Sequence, residues 1–352
     1  MGRQYLQDHQ QAPHHRADTP RHDRGLPSLA RLMGPHPAVA EVRRAVRAAL
    51  AGVEGPVLVA CSGGADSLAL AAATIFEAPR ASLSAGLVTV DHVLRPGSLE
   101  QARAVASIGY ELGYDPVEIV RVAVGTAGGP EAAARAARYA ALDAAGEAFG
   151  ASLLLGHTLD DQAETVLLGL GRGSGPRSVA GMRPVDGRYR RPFLGVRRST
   201  TAAACAALGL TPWHDPANSD KRFQRVRLRT EVLPLLEQVL QGGVAEALAR
   251  TAALTQSDLD ALDAIAESYL STEGADLDAT SLAIHPQAIR SRVLRRWATR
   301  GGVPALTATH LAELDALVAR WHGQARVDLP GGFGVTRVSG RLCLISPNSD
   351  KG

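Results

Sequence analysis

Cysteine is scarce in this 352-residue chain: Cys61, Cys205 and Cys343 stand far apart and are odd in number. That excludes a disulfide framework and a cysteine-based metal centre, and it fits a reducing compartment. Lysine is scarcer still, with Lys221 and Lys351 alone among 38 basic residues. Aromatic residues make up only 4% of the chain, so few rings are available to stack on a nucleobase. No apolar run reaches the roughly 18 to 20 residues of a membrane span, and the first residues lack the apolar centre of a secretory signal. The expectation is a cytoplasmic protein with no membrane partner. Glycine and proline, 36 and 20, follow no three-residue period, which excludes a collagen-like chain. What remains is a globular composition, 45% hydrophobic and 21% charged, with a length suited to about two domains.

Residues 1–36 are rich in His, Gln, Arg and Pro without apolar periodicity and read as a disordered tail. From Pro37 short apolar runs alternate with helical stretches: Val57 to Cys61, Gly86 to Val90, Val117 to Val124 and Ser152 to Leu155 read as strands. The alternation predicts an α/β fold, a doubly wound and mostly parallel sheet, over residues 37–229. Capping boxes are expected at Ser98 with Gln101 and at Thr158 with Asp161, and Pro130 opens a further helix. Residues 230–352 read as a second, mainly helical domain closed by a small hairpin between Val327 and Ile345. Between Arg172 and Arg229 thirteen basic residues face three acidic ones, an excess of ten that calls for an anionic partner.

The sharpest local signal is Ser62-Gly63-Gly64-Ala65-Asp66-Ser67, set between a predicted strand and a predicted helix. Adjacent glycines let successive N–H groups and a helix N-terminus face an anion, and the serines add hydroxyl donors. The segment is neither a Walker A loop nor GxGxxG. Asp66, the one acid in this cradle, is tolerable beside a triphosphate when Mg²⁺ lies between them or when it caps the helix; the magnesium-linked role is expected. Gly169, Gly171, Gly173 and Gly175 follow a helix and are expected to form a flexible active-site loop.

In this cradle the chain resembles the N-type ATP pyrophosphatases, whose PP-loop reads SGGxDS. Further segments narrow the resemblance to the tRNA(Ile)-lysidine synthases. Val90-Asp91-His92-Val93-Leu94-Arg95-Pro96-Gly97-Ser98 is similar to the VDHxLRxxS segment, and Ala134-Arg135 with Arg138-Tyr139 to ARxxRY. Gly156-His157-Thr158-Leu159-Asp160-Asp161-Gln162-Ala163-Glu164-Thr165 is similar to GHxxDDQxET. Arg191-Pro192-Phe193 stands for RPL, and Asp215 to Asn218 with Phe223, Arg225, Arg227 and Arg229 resembles DxxN…FxRNxxR, with Val226 in place of the usual Asn. The segments come in family order across about residues 55 to 230.

The resemblance implies a ligase that joins the amine of free L-lysine to C2 of the wobble cytidine of tRNA(Ile) bearing a CAU anticodon. The base is first adenylated by ATP with Mg²⁺, and AMP and pyrophosphate are released. On this reading Ser62, Gly63, Gly64, Ala65, Asp66, Ser67, Asp91 and His92 bind the nucleotide, and Asp66 holds the metal. Asp66, Arg135, Arg138, His157, Asp161 and Glu164 are the catalytic set, with Asp161 and Glu164 receiving the lysine ammonium. Arg191, Arg222, Arg225, Arg227 and Arg229 bind tRNA, and a homodimer is admitted. Independently of the resemblance, Asp160, Asp161 and Glu164 lie three and four residues apart, so their carboxylates converge on one helical face, where Mg²⁺, an ammonium or an arginine would relieve their repulsion. Of Tyr189, Trp213 and Phe223, interleaved with the arginines, two are expected in the core. The rival readings are a tRNA thiolase, which would want paired cysteines, a glutamine-dependent synthase, for which no glutaminase segment is left over, and an RNA-binding protein with a dead nucleotide fold.

Overall fold

The computed structural model describes residues 35–93, 97–125, 129–173 and 175–347. Nearly all of the expected tail, Leu94 to Pro96 of the second segment, and Ser174 lie outside them.

The first part of the chain alternates as expected. It runs α1 (Pro37–Leu50), β1 (Val57–Ala60), α2 (Ala65–Glu77), β2 (Ala85–Asp91), α3 (Ser98–Leu112), β3 (Val117–Arg121), α4 (Pro130–Ala148), β4 (Ser152–Leu155) and α5 (Leu159–Arg172). The short α6 (Pro176–Val179), the two-residue strands β5 (Val185–Asp186) and β6 (Tyr189–Arg190), and α7 (Arg198–Ala207) follow. The sheet order is β3-β2-β1-β4-β6-β5, parallel except for β5 against β6. Strand β1 is buried on both faces, which is why its sequence is a continuous apolar run instead of an alternation. Helix α1 buries Ala38, Val39, Val42, Val46 and Leu50, a stripe at helical spacing, in one core with α2 and α7. Leu142 of α4 packs on the other face with Leu153, Leu155 and Tyr189.

Topology positions the site. After β1 the chain builds outward through β2 and β3, then crosses back to lay β4 on the opposite side of β1. Two connections therefore diverge from the carboxyl ends of β1 and β4, leaving a crevice at the point where the winding reverses. The glycine cradle follows β1 and the Gly156–Thr165 segment follows β4, so the fold brings together two motifs some ninety residues apart.

The later part runs α8 (Gln224–Arg227), a wide π-turn over Leu228–Val232, α9 (Leu233–Val239), α10 (Val244–Ser271), β7 (Leu277–Asp278), α11 (Ala279–Ala283), α12 (Gln287–Arg300) and α13 (Ala308–Ala319). It ends in β8 (Val327–Leu329), β9 (Phe333–Val338) and β10 (Arg341–Ile345). The boundary expected after Arg229 falls inside the helical run from α8 to α9. The expected hairpin is part of a four-stranded antiparallel sheet, order β7-β10-β9-β8. Helix α10 runs through to Ser271 because Leu259, Ala266 and Leu270 continue its apolar stripe. Its beginning packs on α5 and α9 through Ala245 and Leu248, and its end enters a second core with Leu294 and Leu314.

Candidate active site

The cradle is shaped from within. Gly63 has φ +84°, and a Cβ there would lie 2.8 Å from Val105 Cγ2 and 2.9 Å from Gln101 Nε2, so only glycine fits. Gly64 starts α2 with no side chain capping it, which leaves the helix N-terminus facing the crevice as an anion site. Ser67, expected as a phosphate donor, is buried and turned inward: its Oγ accepts the Ser62 N–H at 3.2 Å and donates to the Gly64 carbonyl at 2.9 Å. Ser62 remains exposed. A Cβ on Gly156 would come within 3.0 Å of the Asp66 carbonyl oxygen, so the two loops touch backbone to backbone.

Asp66 points between them. Its Oδ1 accepts the Thr201 hydroxyl from α7, and its Oδ2 lies 3.7 Å from Arg198 Nε. Burial pushes this carboxyl up, reinforced by the charge of Asp161 and opposed by Thr201, Arg198 and Arg229.

The acidic helix start is neutralised by arginine. Thr158 and Asp161 form the expected capping box: the Thr158 N–H and hydroxyl both donate to Asp161 Oδ2 at 2.8 Å. Asp161 Oδ1 accepts from Arg198 Nη2 at 2.7 Å, and Glu164 Oε1 takes the same nitrogen at 3.3 Å. Glu164, with no exposed surface, holds the fork of Arg229 at 2.8 and 3.1 Å, with Arg225 Nη1 3.8 Å away. Asp160 Oδ2 accepts the Arg198 backbone N–H at 2.8 Å, and its Oδ1 pairs with Arg197 at 3.0 Å. Burial alone would push Asp161 up; Arg198 and Thr158 outweigh it and hold its carboxyl below the usual range.

His92 and His157 flank the cradle at the ends of β2 and β4, each with a buried Nδ1 lacking a hydrogen-bond partner. Burial lowers both, helped by Arg138, so both imidazoles are neutral at pH 7. Arg138 on α4 bears on both rings, whereas Arg135 is exposed and donates to the Tyr139 hydroxyl at 3.2 Å.

These residues form a phosphate cradle, a carboxylate beside it and an arginine-laced acidic cluster at a strand switch point. The family model of the PP-loop domain matches residues 40–236, and that of the TilS substrate binding domain matches residues 277–343. The tRNA(Ile)-lysidine synthase of Thermobifida fusca is 56% identical over 321 residues, covering 89% of this chain and 99% of that protein. Its counterpart in Streptomyces coelicolor is 51% identical over 349 residues, with 89% and 99% covered. The chain belongs to the tRNA(Ile)-lysidine synthase family. Among solved structures it is similar to the U34-tRNA thiolase NcsA from Methanococcus maripaludis with its 4Fe-4S cluster, at TM-score 0.53 and 18% identity over 62% of this chain and 80% of that one, a likeness of fold.

As a PP-loop family member the chain takes ATP as substrate, and the uncapped α2, the two glycines and the two unpartnered imidazole nitrogens suit a triphosphate. A single carboxylate, Asp66, fits a magnesium ion that arrives on the phosphates and keeps most of its waters. Among the described residues no three His, Cys, Asp or Glu side chains are grouped to hold a resident metal. Cys61 and Cys205 are buried on either side of the loop, their thiols raised by that burial, and are inert packing.

Several expectations change. Asp91 is only 2% exposed: burial pushes it up, but the Ser98 hydroxyl, the Val93 N–H at 2.9 Å and Arg121 outweigh that and hold it low, so it fastens its own turn. Ser98 therefore does not cap α3, whose cap is Gly97 at φ +85°. Arg191, 6% exposed, donates to the Arg183 carbonyl at 2.8 Å and is a structural arginine. Arg225 and Arg229 turn inward to Glu164, while Arg222 and Arg227 stay exposed beside Asp220 and Glu231. Gly169 and Gly171 are no loop residues: both lie in α5, where a Cβ on Gly169 would meet the Ser178 carbonyl oxygen at 1.8 Å. Of the three aromatics Tyr189 is core and Phe223 half-buried, whereas Trp213 is 40% exposed and donates its backbone N–H to the Gly63 carbonyl at 2.9 Å. Sequence reasoning missed Arg198 and Thr201 as site residues. One signal was available: Arg197 and Arg198 open helix α7, where the macrodipole disfavours cations unless an acidic partner waits.

Proposed function

We propose that this chain joins lysine to the wobble cytidine of tRNA(Ile) with a CAU anticodon, through an adenylated base. The cytidine O2 attacks the α-phosphorus of ATP and pyrophosphate leaves; the lysine amine then attacks C2, its N–H proton is lost, and the C2–O bond breaks to release AMP. The observation that carries this reading is the convergence of cradle, Asp66 and arginine-neutralised carboxylates at one switch point.

The backbone of residues 62–65 and the α2 N-terminus bind the triphosphate, and Arg138, beside His92 and His157, meets the α-phosphate as charge develops there. Asp66 would hold a magnesium ion brought in by the phosphates, which would supply neutralisation of the leaving pyrophosphate. His157 serves as a neutral hydrogen-bonding group and not as the base, because its imidazole lies too far below pH 7 to accept a proton efficiently. Glu164 acts through Arg229, since it is wholly buried beneath that guanidinium, whereas Asp161 is not. Asp161, 16% exposed, is the carboxylate left at the crevice for the lysine ammonium, which competes there with Arg198. Trp213 offers the flipped base a face to stack on. Residues 230–352 are the mainly helical tRNA-binding domain, and Arg222 and Arg227 are its exposed neighbours on the RNA side.

The test incubates the protein with ATP, magnesium, labelled lysine and unmodified tRNA(Ile). Label fixed on the wobble cytidine is expected; AMP release with no lysine on the RNA would overturn the nucleophile assigned here.

A further inference from the structure

We infer that a groove between α6, α10 and α12 is a second anion site, which takes backbone phosphates of the tRNA away from the nucleotide being modified. The inference rests on the proposed function and adds to it a place where another part of the RNA is gripped. The groove encloses about 500 Å³ and is lined by Arg177 of α6, Asp263 and Glu267 of α10, and Arg295, Arg296 and Arg300 of α12.

Its charges do not balance. Asp263 takes Arg177 at 2.7 Å, Arg292 at 3.1 Å and Arg296 at 3.2 Å. Glu267 takes Arg296 at 3.3 Å and also Arg300, while Arg295 donates to the Leu306 carbonyl at 3.1 Å. Four guanidiniums thus share two carboxylates, and with Arg295 beside them the excess is three positive charges. One turn away Arg183 and Asp260 pair one to one, as a purely structural bridge would. Arginines crowded beyond their carboxylates repel one another unless an anion completes the set, and the planar fork suits phosphate oxygens. Arg177, Arg296 and Arg300 remain 55%, 36% and 49% exposed, open to such a ligand.

Position separates this groove from the reacting base. Helix α6 rests on α5 where Ser178 Oγ donates to the Gly169 carbonyl at 3.1 Å, beyond Asp160, Asp161 and Glu164 on the same helix. At 1.5 Å per residue that is about 8 Å along α5 from Glu164 and about 14 Å from Asp160. The groove also spans both matched family segments, Arg177 lying in the first and Arg295 to Arg300 in the second.

The experiment measures binding of full-length tRNA(Ile) and of its isolated anticodon stem–loop against salt, for the wild type, Arg295→Gln/Arg300→Gln, and Arg295→Lys/Arg300→Lys. For the Gln pair the log–log salt slope on full-length tRNA is expected to fall by about two, with affinity about tenfold weaker, because each lost phosphate contact removes about 0.9 from the slope. Stem–loop binding and ATP binding are expected to be unchanged, and the Lys pair is expected to retain the slope. An unchanged slope for the Gln pair, or an equal loss on the stem–loop, would overturn the groove while leaving the proposed function standing. A wild type that binds neither RNA would overturn both.

Discussion

Arg198 sits where carboxylates from two helices meet: Asp66 of α2 and Asp161 and Glu164 of α5 all lie within 3.7 Å of its guanidinium. Arg198→Lys keeps the charge but loses the fork, so one of these contacts at least must go. A charge-assisted contact is worth about 1.5–3 kcal/mol, which predicts roughly a 10- to 100-fold loss in kcat/KM for lysine with ATP binding retained. Steady-state kinetics with each substrate varied separately checks this. Asp66→Ala should abolish AMP formation and leave tRNA binding intact, measured by AMP release and filter binding; loss of both would mark Asp66 as structural. The individual residues of the cradle were legible in the sequence because a glycine pair between strand and helix has few other uses. Arg198 was not, since one arginine among twelve in that stretch carries no local mark of the carboxylates that the fold brings to it.

At the scale of elements, α5 depends on its start. Thr158 is wholly buried, and its hydroxyl both caps the helix and orients Asp161. Thr158→Ala should cost about 1–2 kcal/mol in urea unfolding, while Thr158→Ser should recover most of it. The capping box here was readable because the arginines take Asp161 Oδ1 and leave Oδ2 to Thr158; the matching pattern at Ser98 failed because the Ser98 hydroxyl finds buried Asp91 from the neighbouring strand. Local chemistry proposes a cap, and tertiary contacts decide it. The strands of the parallel sheet were legible for a related reason: burial on both faces forces continuous apolar runs. The two-residue strands β5 and β6 are too short to leave such a pattern, and the closing sheet borrows β7 from a distant loop, which periodicity cannot show.

For the whole molecule, stability should depend on pH through the buried imidazoles. His157 is held below its ordinary 6.5 by burial and by Arg138 and Arg191, against the opposing charge of Asp161. The unfolded chain therefore takes up this proton near pH 6.5 while the folded chain does not. The stability that goes with the neutral ring is complete above that pH and is lost as pH falls, by about 1.4 kcal/mol per pH unit at most. Urea midpoints between pH 7.5 and 5.5 should fall for the wild type and fall less for His157→Gln; His92, shifted the same way, keeps some slope in that variant. In the proposed reaction the switch-point site passes an adenylyl group to an RNA base before lysine is needed. The most direct measurement supplies ATP labelled at the α-phosphorus, magnesium and unmodified tRNA(Ile), withholds lysine, and follows the label. It is predicted to pass to the tRNA at no more than one equivalent and to leave as AMP when lysine is added; AMP formed without tRNA, or label that never reaches the RNA, would contradict the account.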